Sequence, residues 1–119
     1  MDLEILEKIG LTHNESLVYI TLLKLGTARS GEILTHSGLN SGKIYEIFES
    51  LERKGLVSES IINKIRHFTA APPNQLLEYI EKKKEEIFKE EDLIKLALPK
   101  LNRLRVTASK KSHAVTYTG

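Results

Sequence analysis

The sequence predicts a mainly α-helical fold with one small β-hairpin and a long helix towards its end. Three observations carry that prediction. "SGEILTHSGLNSGKIYEIFESL" reads as helix, tight turn, helix, with Gly38 at the break and Ile44, Ile47, Phe48 and Leu51 at the i, i+3, i+4, i+7 spacing of one helical face. "LVSESIINKIRHFTAA" has no helical period and is rich in β-branched residues around Asn63-Lys64, the pattern of a short hairpin. From Gln75 the chain is charged and helix-forming, with Ile80, Ile87, Ile94 and Leu101 each seven residues from the last. Together these give a winged helix-turn-helix followed by a helical dimerisation segment. The expected divisions are 1–72 for the winged helix, 73–104 for the dimerisation segment, and 105–119 for a basic tail or the start of a further domain.

The elements follow in order. "DLEILEKIG" places Leu3, Leu6 and Ile9 on one face of a short helix, widened by Ile5 and closed by Gly10. Thr12 with Glu15 three residues on forms a capping box for a second helix, whose apolar face holds Leu17, Val18, Ile20, Leu22 and Leu23. Ser30 is the expected N-cap of the third helix, and Asn40 of the fourth. On that fourth helix Gly42, Glu46, Glu49 and Arg53 lie opposite the apolar stripe, with Lys43 and Tyr45 on its flanks. Pro72 and Pro73 stop the hairpin and open the long helix, which Pro99 is expected to end or kink near Ala97 or Leu98. The stretch beyond it reads as a basic loop, and "AVTYTG" as a strand without a partner.

Composition narrows the function classes. The 119 residues contain no cysteine, which removes disulfides and thiolate metal sites. His13, His36, His67 and His113 share no metal-ligand spacing, and no nucleophile, base and acid converge, so neither a metal, a cofactor nor an enzymatic activity is expected. No apolar run is long enough to span a membrane, and the acidic start lacks the basic region of a signal peptide, so a soluble, cytoplasmic protein is expected. The Gly-Lys pair at Gly42 and Lys43 is not a nucleotide-binding loop: only three residues separate Gly38 from Gly42, and Ile44 stands where a hydroxyl should meet magnesium. Net charge is +2, but it is uneven, with eight cations and nine acids in 1–72 against ten and seven in 73–119.

The phrases "LEKIGLTHNESLVYITLLKLG", "SGLNSGKIYEIFESLERKGLV" and "AAPPNQLLEYIEKK" resemble the amino-terminal part of the TrmB-like transcriptional regulators of archaea, over about residues 3–84. The resemblance implies a homodimer bound to double-stranded DNA, with the second helix of the helix-turn-helix in the major groove and the wing beside the backbone. It places Ser41, Gly42, Lys43 and Tyr45 at the start of the recognition helix. Relatives often carry proline and a basic residue where Asn40 and Ser41 stand. Full-length relatives continue into a sugar-binding effector domain whose first strand "HAVTYTG" resembles, so the chain is either a piece of a longer regulator or a small stand-alone relative. No small-molecule effector is expected for the residues present.

Each candidate site has two readings. Gly42 is a tolerated surface glycine or a point of close backbone approach to a phosphate. Lys43 is a solvated lysine or a phosphate contact, and Tyr45 can pack its ring while offering its hydroxyl. Glu46 opposes DNA unless it accepts from a cytosine amino group. Arg29, Lys64, Arg66 and His67 are the remaining candidate backbone contacts or ordinary surface. Leu76, Ile80, Ile87, Ile94 and Leu101 form the expected dimer seam, with Lys83 and Glu90 interrupting its second register. The rival to DNA binding is a winged helix that binds protein.

Overall fold

The computed structural model describes residues 2–112, with side chains described to residue 105. Five helices and one hairpin follow in the order α1 (Asp2–Lys8), α2 (His13–Leu25), α3 (Ser30–Ser37), α4 (Ile44–Arg53), β1 (Val57–Ile62), β2 (Ile65–Ala70) and α5 (Gln75–Ser112). This is a winged helix-turn-helix followed by a long helix. A first compact unit runs from Met1 to Glu81 and a second begins at Lys82.

The core of the first unit forms where three apolar faces meet. Val18, Tyr19 and Leu22 from α2, Ile44, Phe48 and Leu51 from α4, and Phe68 from the wing are all within 1% of complete burial. The stripe expected on α4 is the face that is buried. On α2 the buried face is turned towards Tyr19, whose hydroxyl donates to Ala71 O at 2.8 Å, and Leu23 is left exposed. Phe48 and Phe68 stack at 3.8 Å between ring centroids, fastening the wing to α4.

The capping box of α2 is present: Thr12 Oγ1 accepts from Glu15 N, and Glu15 Oε1 accepts from Thr12 N. Glu15 does more than the box requires. Its carboxylate, 4% exposed, also accepts from Lys54 Nζ at 2.7 Å and from Ser50 Oγ, both on the last turn of α4 or just past it. Burial raises its pKa, but the hydrogen bonds from Lys54, Ser50 and Thr12 win and hold it below the ordinary glutamate value. One side chain thus fixes the entry of α2 against the exit of α4.

The wing pairs Val57 with Ala70 through to Ile62 with Ile65, and Asn63 and Lys64 turn with φ of 52° and 66°. Both values lie in the left-handed region that a type I′ hairpin turn demands, and Asn tolerates it better than most. Ala28 adds a bridge to Phe68, so the segment before α3 also joins the wing, a pairing that two strands alone did not anticipate.

Several expectations are corrected. Arg29, not Ser30, is the N-cap of α3; its N–H donates to Glu32 Oε1 at 3.0 Å. Asn40 does not cap α4, because its Oδ1 accepts from Gly42 N at 3.0 Å and closes a turn in which Ser41 and Gly42 sit before the helix. The helix starts at Ile44 with Lys43 at the cap position. Pro99 does not end α5, which continues through it to Ser112, so the stretch read as a basic loop is helical that far. Proline removes a single backbone donor, and good helix formers on both sides make continuing cheaper than nucleating a new helix. The "AVTYTG" strand lies outside the described residues.

Candidate nucleic-acid interface

The aromatic ring of Tyr45 is where α3, α4 and the wing meet. Its hydroxyl lies 3.1 Å from Ser30 Oγ, and its ring stands edge-on to Phe48 and Phe68 at 5.8 and 6.4 Å. Arg66 lies over it, with the guanidinium carbon 4.9 Å from the Tyr45 centroid and 5.3 Å from that of Phe68. Tyr45 therefore packs its ring while its hydroxyl pairs with Ser30.

Beside this ring lies an open groove of about 660 Å³, walled by Arg29, Ser30, Glu32 and His36 of the α3 region, Tyr45, and Lys64, Ile65 and Arg66 of the wing. Four of the sequence-predicted residues, Arg29, Tyr45, Lys64 and Arg66, are brought together here. The others are not. Lys43 lines a separate small pocket of about 50 Å³ with Asn14, Asn40 and Ile47, and Ser41 and Gly42 are exposed in the adjoining turn. A Cβ on Gly42 would come 3.3 Å from Asn40 Oδ1, against the atom that closes the turn. Glu46 is exposed on the outer face of α4, and His67 is half-buried with Nδ1 2.9 Å from Ile65 O.

The cations of the groove are not equally available. Arg66 is held by Glu59 across the hairpin, Nε to Oε2 at 2.5 Å and the second nitrogen to Oε1 at 3.1 Å. That pairing lowers the carboxylate pKa and raises the guanidinium's, so each keeps the other ionised. Arg66 serves first as the clasp between wing and α4. Arg29 approaches Glu32 at 3.8 Å, and the Glu32 pKa is lowered chiefly by the Arg29 N–H. Sequence reasoning missed Ser30 and His36, which lack a motif of their own and reach the groove through the placement of α3. Among the described residues no helix is long and apolar enough to cross a membrane, and no group of three or more potential ligands could hold a metal ion.

Residues 6–74 match the profile of a family described as the sugar-specific transcriptional regulator TrmB. The chain belongs to the TrmB family. A curated relative, the HTH-type sugar sensing transcriptional regulator TrmBL1 of Pyrococcus furiosus, is 36% identical over 101 residues, 85% of this chain and 28% of that protein. This chain thus spans less than a third of that TrmB-family relative. Among solved structures, the archaeal chromatin protein TrmBL2, described as showing a novel mode of DNA binding, aligns with a TM-score of 0.76 at 24% identity over 99% of this chain and 46% of its own. A possible transcriptional regulator from Methanosarcina mazei aligns at a TM-score of 0.56 and 15% identity, over 77% of this chain and 80% of its own. These structural likenesses show the shared winged-helix fold. The TrmB family is one of transcriptional regulators and not of enzymes.

Proposed function

We propose that this chain binds double-stranded DNA sequence-specifically, as a dimer, to regulate transcription. The observation that carries the reading is the groove beside α4, where Arg29 and Lys64 flank the hydroxyls of Ser30 and Tyr45. Cations and hydroxyl donors spaced along one edge are what a phosphate backbone takes. The turn of Ser41, Gly42 and Lys43, exposed just before α4, offers a second contact, with Gly42 allowing backbone to approach a phosphate. Dimerisation rests on α5, where Ile87, Ile94 and Leu101 are about half exposed in the single chain while Leu76 already packs on the first unit's core. Sugar sensing is stated for the Pyrococcus furiosus relative and is not assigned to these residues.

A specific observation favours the rival, a winged helix that binds protein: the outer face of α4 carries Glu46, Glu49 and Arg53, a net negative surface where a major groove would lie. A salt titration of duplex binding separates the two. Phosphate contacts give an affinity that falls steeply as salt rises, and the DNA reading requires that slope. Absence of salt-dependent duplex binding would leave the protein-binding module.

A further inference from the structure

The tip of the wing is unusually apolar for a surface turn. Ile61, Ile62 and Ile65 are 69%, 46% and 44% exposed, three large side chains within five residues. Apolar residues scattered singly on a surface need no explanation, but a cluster at the end of a projection does. Pairing sets their directions: Ile62 faces Ile65 directly and the two share one face of the hairpin, while Ile61 lies opposite Arg66 on the other. Between the isoleucines stand Asn63 and Lys64, and residues 60–71 contain cations but no acid.

Lys64, Ile65 and Arg66 also line the groove that holds Arg29 and Glu32, so the tip is continuous with the edge assigned to the phosphate backbone, where Lys64 is the cation with no acid paired to it in the hairpin. Resting on that DNA-binding reading, we infer that the wing tip is an apolar wedge for the DNA minor groove, and that it reads groove shape where the acidic face of α4 reads poorly. The ligand chemistry fits this occupant. Minor-groove edges of A·T pairs offer acceptors, for which Asn63 and Lys64 carry donors, and the groove walls are sugar C–H surface, which isoleucine matches. A two-stranded ribbon, with strands about 4.8 Å apart before side chains are added, does not enter a groove about 6 Å wide. Asn63 and Lys64 therefore lead, and Ile62 and Ile65 follow only where the groove widens. Apolar wedges elsewhere widen and bend the duplex in this way, at steps that deform easily.

The test uses the full chain and three alternating duplexes, d(AT), d(IC) and d(GC). Inosine pairs keep the major-groove edges of G·C but lack the guanine amino group in the minor groove. Wild type should bind d(IC) as it binds d(AT), both about tenfold tighter than d(GC), a factor equivalent to about 1.4 kcal/mol. The variant I62T/I65T, which keeps β-branched side chains and so the hairpin, should lose most of that preference and bend the duplex less by end-to-end fluorescence transfer, with its salt slope unchanged. Salt-dependent binding in which d(IC) follows d(GC), or a preference that I62T/I65T retains, would overturn the wedge while leaving DNA binding intact. No salt-dependent binding to any duplex would instead remove the reading on which it rests.

Discussion

The first compact unit and the later part of α5 treat their large apolar side chains in opposite ways. Tyr19, Leu22, Phe48 and Phe68 are buried almost completely, whereas Phe88, Leu93 and Leu96 of α5 are 63%, 64% and 80% exposed. A helix that exposes apolar residues over much of its circumference does not hold its position by its own chain's packing. The difference teaches that the winged helix buries its large apolar side chains within its own unit, while the long helix leaves its own exposed, which is what the proposed dimerisation through α5 requires.

The sharpest test of that contrast replaces one phenylalanine in each region. Phe68→Ala removes the ring stacked on Phe48 and the anchor of the wing, and should cost about 3–5 kcal/mol in urea unfolding. Phe88→Ala should change the unfolding of dilute, monomeric protein by less than about 0.5 kcal/mol. Comparable losses at both sites would erase the distinction.

A smaller effect is expected at the ion pair that braces the first unit. Lys54→Ala leaves the Glu15 carboxylate buried without its cation, and because Lys54 is a quarter exposed the cost should be about 2–3 kcal/mol, below that of a fully buried pair. Glu15 has a depressed pKa in the fold, so its contribution is present above the unfolded glutamate pKa and is lost as pH falls through the lower folded value. Acid unfolding of wild type should accordingly steepen in that range, and Glu15→Gln should flatten it. A pH profile indifferent to Glu15→Gln would show that folding leaves the pKa of this carboxylate at its unfolded value.

The smallest effects concern DNA. Lys43→Ala should lower the magnitude of the salt slope by about 0.9, the value of one phosphate contact, and weaken binding equally across sequences. A change in sequence preference with an unchanged slope would make Lys43 a base reader.

The regularities that sequence reveals well are local ones. The α4 stripe, the Thr12–Glu15 capping box and the Asn63-Lys64 turn all depend on residues within a few positions of one another, and the structure contains each of them. What was not legible depends on distance along the chain. Arg66 looked like a free cation because Glu59 and Tyr45 meet it only when the hairpin registers and folds onto α4. Glu15 looked like a cap alone because Lys54 is 39 residues away. Asn40 had two local uses, capping the next helix or closing its own turn, and the side chain took the shorter one. The passage of α5 through Pro99 was hidden because the cost of a proline is local while the benefit of a continuous helix is shared over its length.

The most direct measurement is sedimentation of the full chain beside one ending at Glu81, which keeps Leu76 and Tyr79 on the core of the first unit. The full chain should sediment as a dimer. The shortened chain should be a folded monomer with an undiminished cooperative melt and weaker, still salt-dependent, duplex binding. A shortened chain that remains dimeric, or a full chain that is monomeric at the same concentration, would contradict the division between a self-sufficient winged helix and a helix that requires a partner.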